Sequence, residues 1–359
     1  MKPHQQIKDW GLNLSNPMII GGPCSAETPA QITQICKEMK EEQVIPQVFR
    51  AGIWKPRTRP GSFEGVGEEG LTWMEIVREE LNIPITVEVG NAAHVEMALK
   101  HNIDILWIGA RTTVNPFAVQ EIADALQGVK IPVMIKNPVN PDLELWIGAF
   151  ERLEKAGVTD LGAIHRGFSF YNHPKYRNVP NWEIPIAFRE RNSQIPMICD
   201  PSHITGNRGM VAEVAQKALD LNFDGLMIET HLDPDHALSD PAQQVTPNSL
   251  KSLLDSLILR TSNVPLNARD FLIEMRDKIE VIDDRIFELL TARMALSEEV
   301  GQFKKENKIT VLQQEHWAHL IQNRLSKAQD INLTQIFIRQ IMDAIHQESI
   351  RHQVKIMNK

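Results

Sequence analysis

The chain has 359 residues, of which 42% are hydrophobic and 23% are charged, and its formal net charge is −8. This length allows one large domain and one small one, while the acidic balance argues against non-specific nucleic-acid binding. No apolar run approaches the ~18 residues that span a bilayer, and the N-terminus lacks the apolar core of a signal peptide, so we expect no membrane partner. Three scattered cysteines are too few for a disulfide framework and favour a cytoplasmic location.

Short β-rich runs alternate with helical stretches from Pro17 to about Arg260. Stretches with helical spacing, such as 29–43, 115–126 and 210–221, separate these runs, which predicts an α/β fold, a (β/α)8 TIM barrel over residues 1–262. An open doubly wound sheet is the alternative, but no strand leads into a Gly-rich dinucleotide turn. We expect no organic cofactor. The predicted strands are 18–22, 47–51, 85–89, 105–108, 133–136, 161–165, 197–200 and 225–229.

Basic residues follow the predicted strands, at the end of the barrel where active sites lie. Such residues are costly to bring together unless an anion neutralises them, and the Arg fork suits phosphate and carboxylate groups. A single Arg at a strand end is more often an ion-pair partner, but the whole set predicts an anionic substrate. The set comprises Arg50, Lys55, Arg57, Arg111, Lys136 and Arg166.

Potential metal ligands follow the first, seventh and eighth strands, which are neighbours in a closed barrel. They are Cys24, His203, Glu229 and, in the loop after the last strand, Asp240. A thiolate, an imidazole and two carboxylates suit a divalent ion such as Mn, Fe, Co or Zn. Taken singly, Cys24 is also typical of a core cysteine and His203 of a helix cap. The barrel topology favours a metal site.

The barrel region resembles the 3-deoxy-D-arabino-heptulosonate 7-phosphate (DAHP) synthases, in the small-barrel subclass related to octulosonate-phosphate synthases. The resemblance covers about residues 15 to 260, and its most specific motif is Lys55-Pro56-Arg57-Thr58. It implies a metal-dependent condensation of phosphoenolpyruvate with erythrose 4-phosphate, in which the metal polarises the aldehyde. By this resemblance, the residues that hold phosphoenolpyruvate are Arg50, Lys55, Ala110, Arg111, Lys136 and Arg166, and the catalytic residues are Lys55 and Glu88. Erythrose 4-phosphate is held by Arg57 and Thr58. The metal ligands are Cys24, His203, Glu229 and Asp240.

Two other reactions fit a barrel of this kind. An octulosonate 8-phosphate synthase shares the barrel and the metal site, but that family typically has Ala-Asn where this chain has Pro56-Arg57. A Schiff-base aldolase using Lys136 is a weaker alternative, because it gives the set of metal ligands no purpose.

After Arg260 the strand pattern stops, and residues 263–359 predict a small all-α three-helix domain with helices at about 268–307, 313–326 and 333–353. The first helix carries a long apolar seam that a domain of this size cannot bury alone. We therefore expect a homodimer through this domain, and a higher oligomer remains open. A coiled-coil dimerisation arm is the simplest alternative.

Charged residues interrupt the apolar helix faces of this domain. Arg293 and Lys304 lie ~20° apart around the first helix, Arg276 flanks the same seam, and Glu348 continues the apolar stripe of the last helix. Such groups need each other or a polar ligand. A buried Arg–Glu pair that sets helix register is the alternative.

The same region, about residues 268 to 353, resembles the all-helical chorismate mutases. The resemblance depends on Met275-Arg276-Asp277-Lys278-Ile279, Ile282-Asp283, Leu289-Leu290, Arg293, Val300-Gly301 and Lys304. It implies an intertwined dimer that converts chorismate to prephenate, with Lys304 and Glu348 catalytic. Glu348 would donate to the ether oxygen only when protonated, which implies a raised pKa and better activity at acidic pH. The implied chorismate-binding residues are Arg276 from the other subunit, Arg293, Lys304, Gln313 and Glu348.

One departure from this family affects the second helix. Members commonly begin it with Asp and a basic residue three positions later, where this chain has Gln313 and His316. A non-catalytic module that senses chorismate or prephenate, or only dimerises the chain, is therefore the alternative. The fusion of the two regions suggests feedback inhibition of the barrel by prephenate.

Overall fold

The computed structural model describes residues 6–55, 61–171, 175–261, 265–326 and 332–358. The chain forms two compact units, Met1–Ser262 and Asn263–Lys359. Each unit is described by itself below.

The first unit is a closed barrel of eight parallel strands in chain order. Pairing of β1 with β8, with Gly22 opposite Glu229, closes the barrel and excludes the open doubly wound sheet. The strands are buried on both faces, as parallel strands covered by helices usually are. The predicted barrel is confirmed. The strands are β1 (Met18–Gly22), β2 (Val48–Ala51), β3 (Ile85–Val89), β4 (Ile105–Ile108), β5 (Val133–Lys136), β6 (Leu161–His165), β7 (Met197–Cys199) and β8 (Gly225–Glu229).

Helices cover the outside of the barrel, and local signals in the sequence set where several of them begin. Thr28 caps the first helix by accepting the N–H of Gln31, and Asp142 caps another by accepting the N–H of Leu145. The helices of this unit are α1 (Pro29–Glu41), α2 (Glu69–Leu81), α3 (Ala92–Lys100), α4 (Ala110–Thr113), α5 (Pro116–Ala125), α6 (Leu143–Lys155), α7 (Glu183–Arg191), α8 (Pro201–Thr205), α9 (Val211–Asp220) and α10 (Pro247–Ser256).

Apolar side chains fill the inside of the barrel. Ile20, Trp107 and Met227 belong to one buried cluster, which also contains Ile7 and Trp10 from the segment before β1. The Trp10 ring packs so closely on Gly162, at the start of β6, that a Cβ there would lie 3.1 Å from it. The end of the barrel where the strands begin is therefore filled with apolar groups, and the polar groups lie where the strands end.

The second unit is all-helical, as predicted. It consists of α11 (Leu266–Glu306), α12 (Gln314–Ser326) and α13 (Gln335–Met357). Helices α11 and α13 approach closely at Gly301, where a Cβ would lie 3.0 Å from the Gln353 Cα. Within the described ranges, no helix has the length and apolarity to cross a membrane. Many large apolar side chains of α11 are exposed in the single chain, among them Phe271, Ile279, Ile282, Ile286, Phe287, Leu289, Leu296 and Phe303.

Candidate active sites

A polar cleft opens at the end of the barrel where the strands terminate. Most of the predicted phosphoenolpyruvate-binding residues line it, because they lie at or just after the C-terminal ends of β2, β4, β5 and β6. Arg50 lies beneath the cleft instead: its guanidinium is buried, donates to the Cys24 carbonyl at 2.9 Å and lies 3.2 Å from Glu229 Oε1. Arg57 and Thr58 lie outside the described residues. The cleft is lined by Lys55, Glu88, Ala110, Arg111, Lys136, Val139, Arg166, Arg177, His203 and Asp240.

Two cations of the cleft are held by buried partners. Lys136 Nζ donates to Asp200 Oδ2 at 2.8 Å, and Arg166 donates to Asn178 Oδ1 at 2.6 Å. Burial, and then the neighbouring charge of Arg177, lower the pKa of Arg166 to about 10. A guanidinium this desolvated is stabilised when an anion binds beside it.

Glu88, at the end of β3, is held in the same cleft. Trp107 Nε1 donates to Glu88 Oε2 at 3.0 Å, and a Cβ on Gly109 would lie only 2.1 Å from Glu88 Oε1. The carboxylate can occupy this position only because residue 109 has no side chain.

The predicted metal ligands converge beside the cleft. Ligand atoms of Cys24, Glu229 and Asp240 all lie within 4.8 Å of one another. His203 lies at the edge of this cluster, with Nε2 3.7 Å from Glu229 Oε1 and Nδ1 2.8 Å from Asp200 Oδ2. Thus β1, β8 and the segments after β7 and β8 bring a thiol, an imidazole and two carboxylates together.

The electrostatics of this cluster suit a bound cation. Burial, and then the charge of Glu229, raise the pKa of the Cys24 thiol to about 12. Burial acts in the same sense on Asp240, but the charge of Arg177 holds the pKa of that carboxyl below its ordinary value. Glu229 Oε1 is buried and accepts no hydrogen bond, although the Arg50 guanidinium lies 3.2 Å from it. Ionised carboxylates beside a thiol that a cation would deprotonate form a donor set that fits a divalent transition metal.

Three polar residues of this site had no predicted role. Arg177 lies between β6 and α7, lines the cleft and donates to Asp240 Oδ1 at 3.1 Å. Asp200 and Gln243 bond the predicted ligands His203 and Glu229. The position of Asp200 directly after β7 was an available signal, whereas Arg177 and Gln243 lie in loops that carry no periodic pattern.

The helical unit contains a second cavity. It brings together three of the predicted chorismate-binding residues, Arg293, Lys304 and Gln313. Burial lowers the pKa of both Arg293 and Lys304, so an anionic ligand would stabilise them. The cavity is lined by Arg293, Leu296, Ser297, Val300, Lys304, Val311, Gln313, Trp317, Leu320, His346, Ser349, Ile350 and Gln353.

Glu348 and Arg276 do not reach this cavity within the chain. Glu348 lies on another face of α13, where its carboxylate pairs with Arg351 at 2.8 Å. The adjacent Ser349 faces the cavity, because successive helix residues point about 100° apart. The group beside Lys304 is instead Gln353, whose Oε1 accepts from Lys304 Nζ at 3.1 Å. Arg276 is exposed on α11.

Comparison with known proteins gives a match for each unit. The model of the DAHP synthetase I family matches residues 13–263, and the model of chorismate mutase type II matches residues 275–354. A phospho-2-dehydro-3-deoxyheptonate aldolase of Thermotoga maritima is 28% identical over 239 residues, covering 67% of this chain and 68% of that protein. A 2-dehydro-3-deoxyphosphooctonate aldolase of Desulfotalea psychrophila is 29% identical over 258 residues, covering 67% of this chain and 88% of that protein.

Solved structures agree with the barrel. The crystal structure of the Thermotoga maritima phospho-2-dehydro-3-deoxyheptonate aldolase (DAHP synthase) superimposes with a TM-score of 0.61 at 26% sequence identity. The superposition covers 70% of this chain and 71% of that one.

Proposed function

Because the chain belongs to the DAHP synthetase I family, we propose that its barrel condenses phosphoenolpyruvate with erythrose 4-phosphate to give DAHP. The observation that carries this proposal is the position of the cation-lined cleft directly beside the cluster of Cys24, Glu229 and Asp240. The C-terminal unit is a chorismate mutase type II domain. The chain thus joins a transferase domain to an isomerase domain, both of the shikimate pathway to aromatic amino acids.

The cleft residues have different proposed roles in binding phosphoenolpyruvate. Arg111, Lys136 and Arg166 hold its phosphate and carboxylate groups, since all three line the cleft and the last two are tied to buried partners. Ala110 lines the same cleft. Glu88 faces the reacting end of the substrate, held there by the indole of Trp107.

The cluster beside the cleft holds a divalent ion, Mn, Fe, Co or Zn, through Cys24, His203, Glu229 and Asp240. When bound, the ion supplies a Lewis acid for the aldehyde of the second substrate. Lys55 spans the two halves of the site, because it lines the cleft and its Nζ lies 3.0 Å from Cys24 Sγ.

The second substrate distinguishes this proposal from the octulosonate 8-phosphate reaction. Relatives named for the two reactions are about equally identical in sequence to this chain, at 28% and 29%. The motif Pro56-Arg57 therefore decides between erythrose 4-phosphate and arabinose 5-phosphate as the second substrate, with Arg57 and Thr58 as the proposed phosphate-binding residues. The test is consumption of phosphoenolpyruvate by the intact chain with erythrose 4-phosphate or with arabinose 5-phosphate, each with and without a chelator. Preference for the pentose, or full activity without metal, would contradict the proposal.

The helical unit rearranges chorismate to prephenate. Arg293 and Lys304 hold the two carboxylates, and Lys304 with the Gln353 amide faces the ether oxygen, where negative charge develops. Gln353 takes the role that the sequence assigned to Glu348. Since an amide donates at any pH, the acidic optimum expected for a glutamic acid does not follow.

A homodimer completes this second site. The exposed apolar residues of α11 are too numerous for an isolated helix in water, and the exposed Arg276 of one copy would reach the cavity of the other.

A direct chorismate mutase assay separates a catalyst from a sensor, because a sensor binds prephenate without turnover. Inhibition of the synthase by prephenate is the proposed regulation, and it should vanish on truncation near Arg260 or on Arg293→Ala substitution.

A further inference from the structure

Two adjacent buried glutamines, Gln243 and Gln244, lie in the segment that follows the β8 loop. This segment runs beside the end of β8, because the Val245 N–H donates to the Glu229 carbonyl at 2.9 Å. The backbone of Gln244 is extended, with φ −84° and ψ 147°. Gln243, by contrast, is the last residue of a 3-10 turn, Pro241–Gln243. The two amides bond different parts of the proposed metal site, Gln243 at Glu229 and Gln244 at Cys24.

The Gln243 amide connects two of the proposed ligands. Its Nε2 donates to Glu229 Oε2 at 2.7 Å, and its Oε1 accepts from Arg177 at 2.6 Å. The same guanidinium donates to Asp240 Oδ1 at 3.1 Å. A continuous chain of hydrogen bonds thus runs from Glu229 to Asp240. Gln243 is 1% exposed, so water does not compete for these bonds.

The Gln244 amide ties the third ligand to the same loop. Its Oε1 accepts from the Cys24 N–H at 2.9 Å, and its Nε2 donates to the Ser239 carbonyl at 2.8 Å. Ser239 precedes Asp240 directly, and its hydroxyl lies 3.2 Å from Cys24 Sγ. The side chain therefore fixes the backbone of β1's C-terminal end against the loop that carries Asp240.

We infer that Gln243 and Gln244 together position Cys24, Glu229 and Asp240 and thereby set the affinity of the barrel for its metal ion. The inference rests on the proposed function, since it requires a metal at this cluster. An amide suits the task because it donates and accepts at once and carries no charge. Residues that orient metal ligands without touching the metal typically contribute about 10–100-fold in metal affinity.

The test measures metal affinity rather than turnover. The full-length chain is stripped with a chelator and titrated with Co²⁺, and the cobalt–thiolate absorption reports binding at Cys24. The variants are Gln243→Met and Gln244→Met. The matched control is Gln216→Met, because the Gln216 amide also accepts from a backbone N–H, that of Ile258 at 2.8 Å, and donates to the same residue's carbonyl at 3.0 Å, far from the cleft.

We expect both site variants to weaken Co²⁺ binding by about 10–100-fold while the control leaves it unchanged. If a Met variant fails to fold, Gln243→Asn and Gln244→Asn replace it; they keep the amide but are too short to reach both partners. Folded variants that bind Co²⁺ as tightly as the wild type overturn the inference and leave the metal site standing. A wild-type chain that binds no Co²⁺ overturns the metal site itself, and the inference with it.

Discussion

The ammonium group of Lys55 lies 3.0 Å from the sulfur of Cys24 and 3.0 Å from the Cys24 carbonyl oxygen. Burial disfavours this charge, but the charges of Cys24 and Glu229 more than offset it and raise the pKa of Lys55 above its ordinary value. An ammonium group therefore lies between the proposed metal ligands and the substrate cleft.

Replacing Lys55 tests this arrangement. Lys55→Met keeps the length of the side chain but removes the charge, so we expect the synthase kcat to fall about 100-fold or more. The mutase activity of the same protein is the internal control and should not change. A Lys55→Met variant with normal synthase turnover would show that the contact with Cys24 is only structural.

Gly109 offers a test of Glu88 that leaves Glu88 in place. Gly109→Ala places a Cβ only 2.1 Å from Glu88 Oε1. Because this distance is too short for two atoms that are not bonded, the carboxylate must turn away. We expect a loss of roughly 10–100-fold in kcat/KM, in the range typical of a misplaced catalytic group. Gly148→Ala in α6 is the control, because a Cβ there meets nothing within 4 Å. It should keep full activity and be as stable or slightly more stable.

Asp200 is the buried counter-charge of the cleft. Its carboxylate lies 2.8 Å from both Lys136 Nζ and His203 Nδ1. Asp200→Asn leaves those groups without a charged partner, so the free energy of unfolding in urea should fall by about 3–5 kcal/mol. Asp142→Asn is the matched control, because both residues cap helices through a carboxylate and Asn caps about as well as Asp. Equal stability of the two variants would refute the role of Asp200.

Removal of metal should destabilise the barrel as well as inactivate it. A ligand that binds only the folded state at about 100 times its dissociation constant stabilises that state by ~2.7 kcal/mol. Treatment with a chelator should therefore lower the melting temperature, and adding back Mn²⁺ or Zn²⁺ should restore it. A Cys24→Ala chain should show a much smaller response to the same treatment.

Two positions on α13, Gln353 and Glu348, should respond differently to substitution in a mutase assay. Gln353→Leu removes the amide beside Lys304 and should lower mutase kcat about 100-fold. Glu348→Gln changes a carboxylate that is 42% exposed and paired with Arg351, so it should leave the rate nearly unchanged. The reverse result in a chorismate assay would restore the role that the sequence suggested for Glu348.

The sequence predicts the barrel strands better than it predicts the catalytic position on α13. The barrel strands were predicted to within one residue, because strands buried on both faces are short apolar runs between polar ends. Both family resemblances were confirmed by the family models. Glu348 was chosen by extending an apolar stripe by four residues, but the face of α13 that lines the cavity passes through Ser349 and Gln353. Glu348 precedes Ser349 by one residue, and that step turns its side chain about 100° around the helix, away from the cavity.

The roles of the loop residues at the barrel site were also not predicted from the sequence. The geometry of Arg177 depends on how the segment after β6 returns to the barrel mouth, and no periodicity encodes that path. The same holds for the two glutamines, whose partners are far apart in the chain. A single sequence shows which residues follow strands, but it does not show which loops fold over them.

Closure of the barrel by β1 against β8 places Gly22 opposite Glu229. The thiol that follows one strand and the carboxylate of the other are thus supplied by the first and last parts of the barrel to leave the ribosome. A nascent chain cannot assemble the proposed centre until its final strand has emerged and docked. Loading of metal would then mark completed synthesis of the barrel, and fragments released early would be unable to take up the ion.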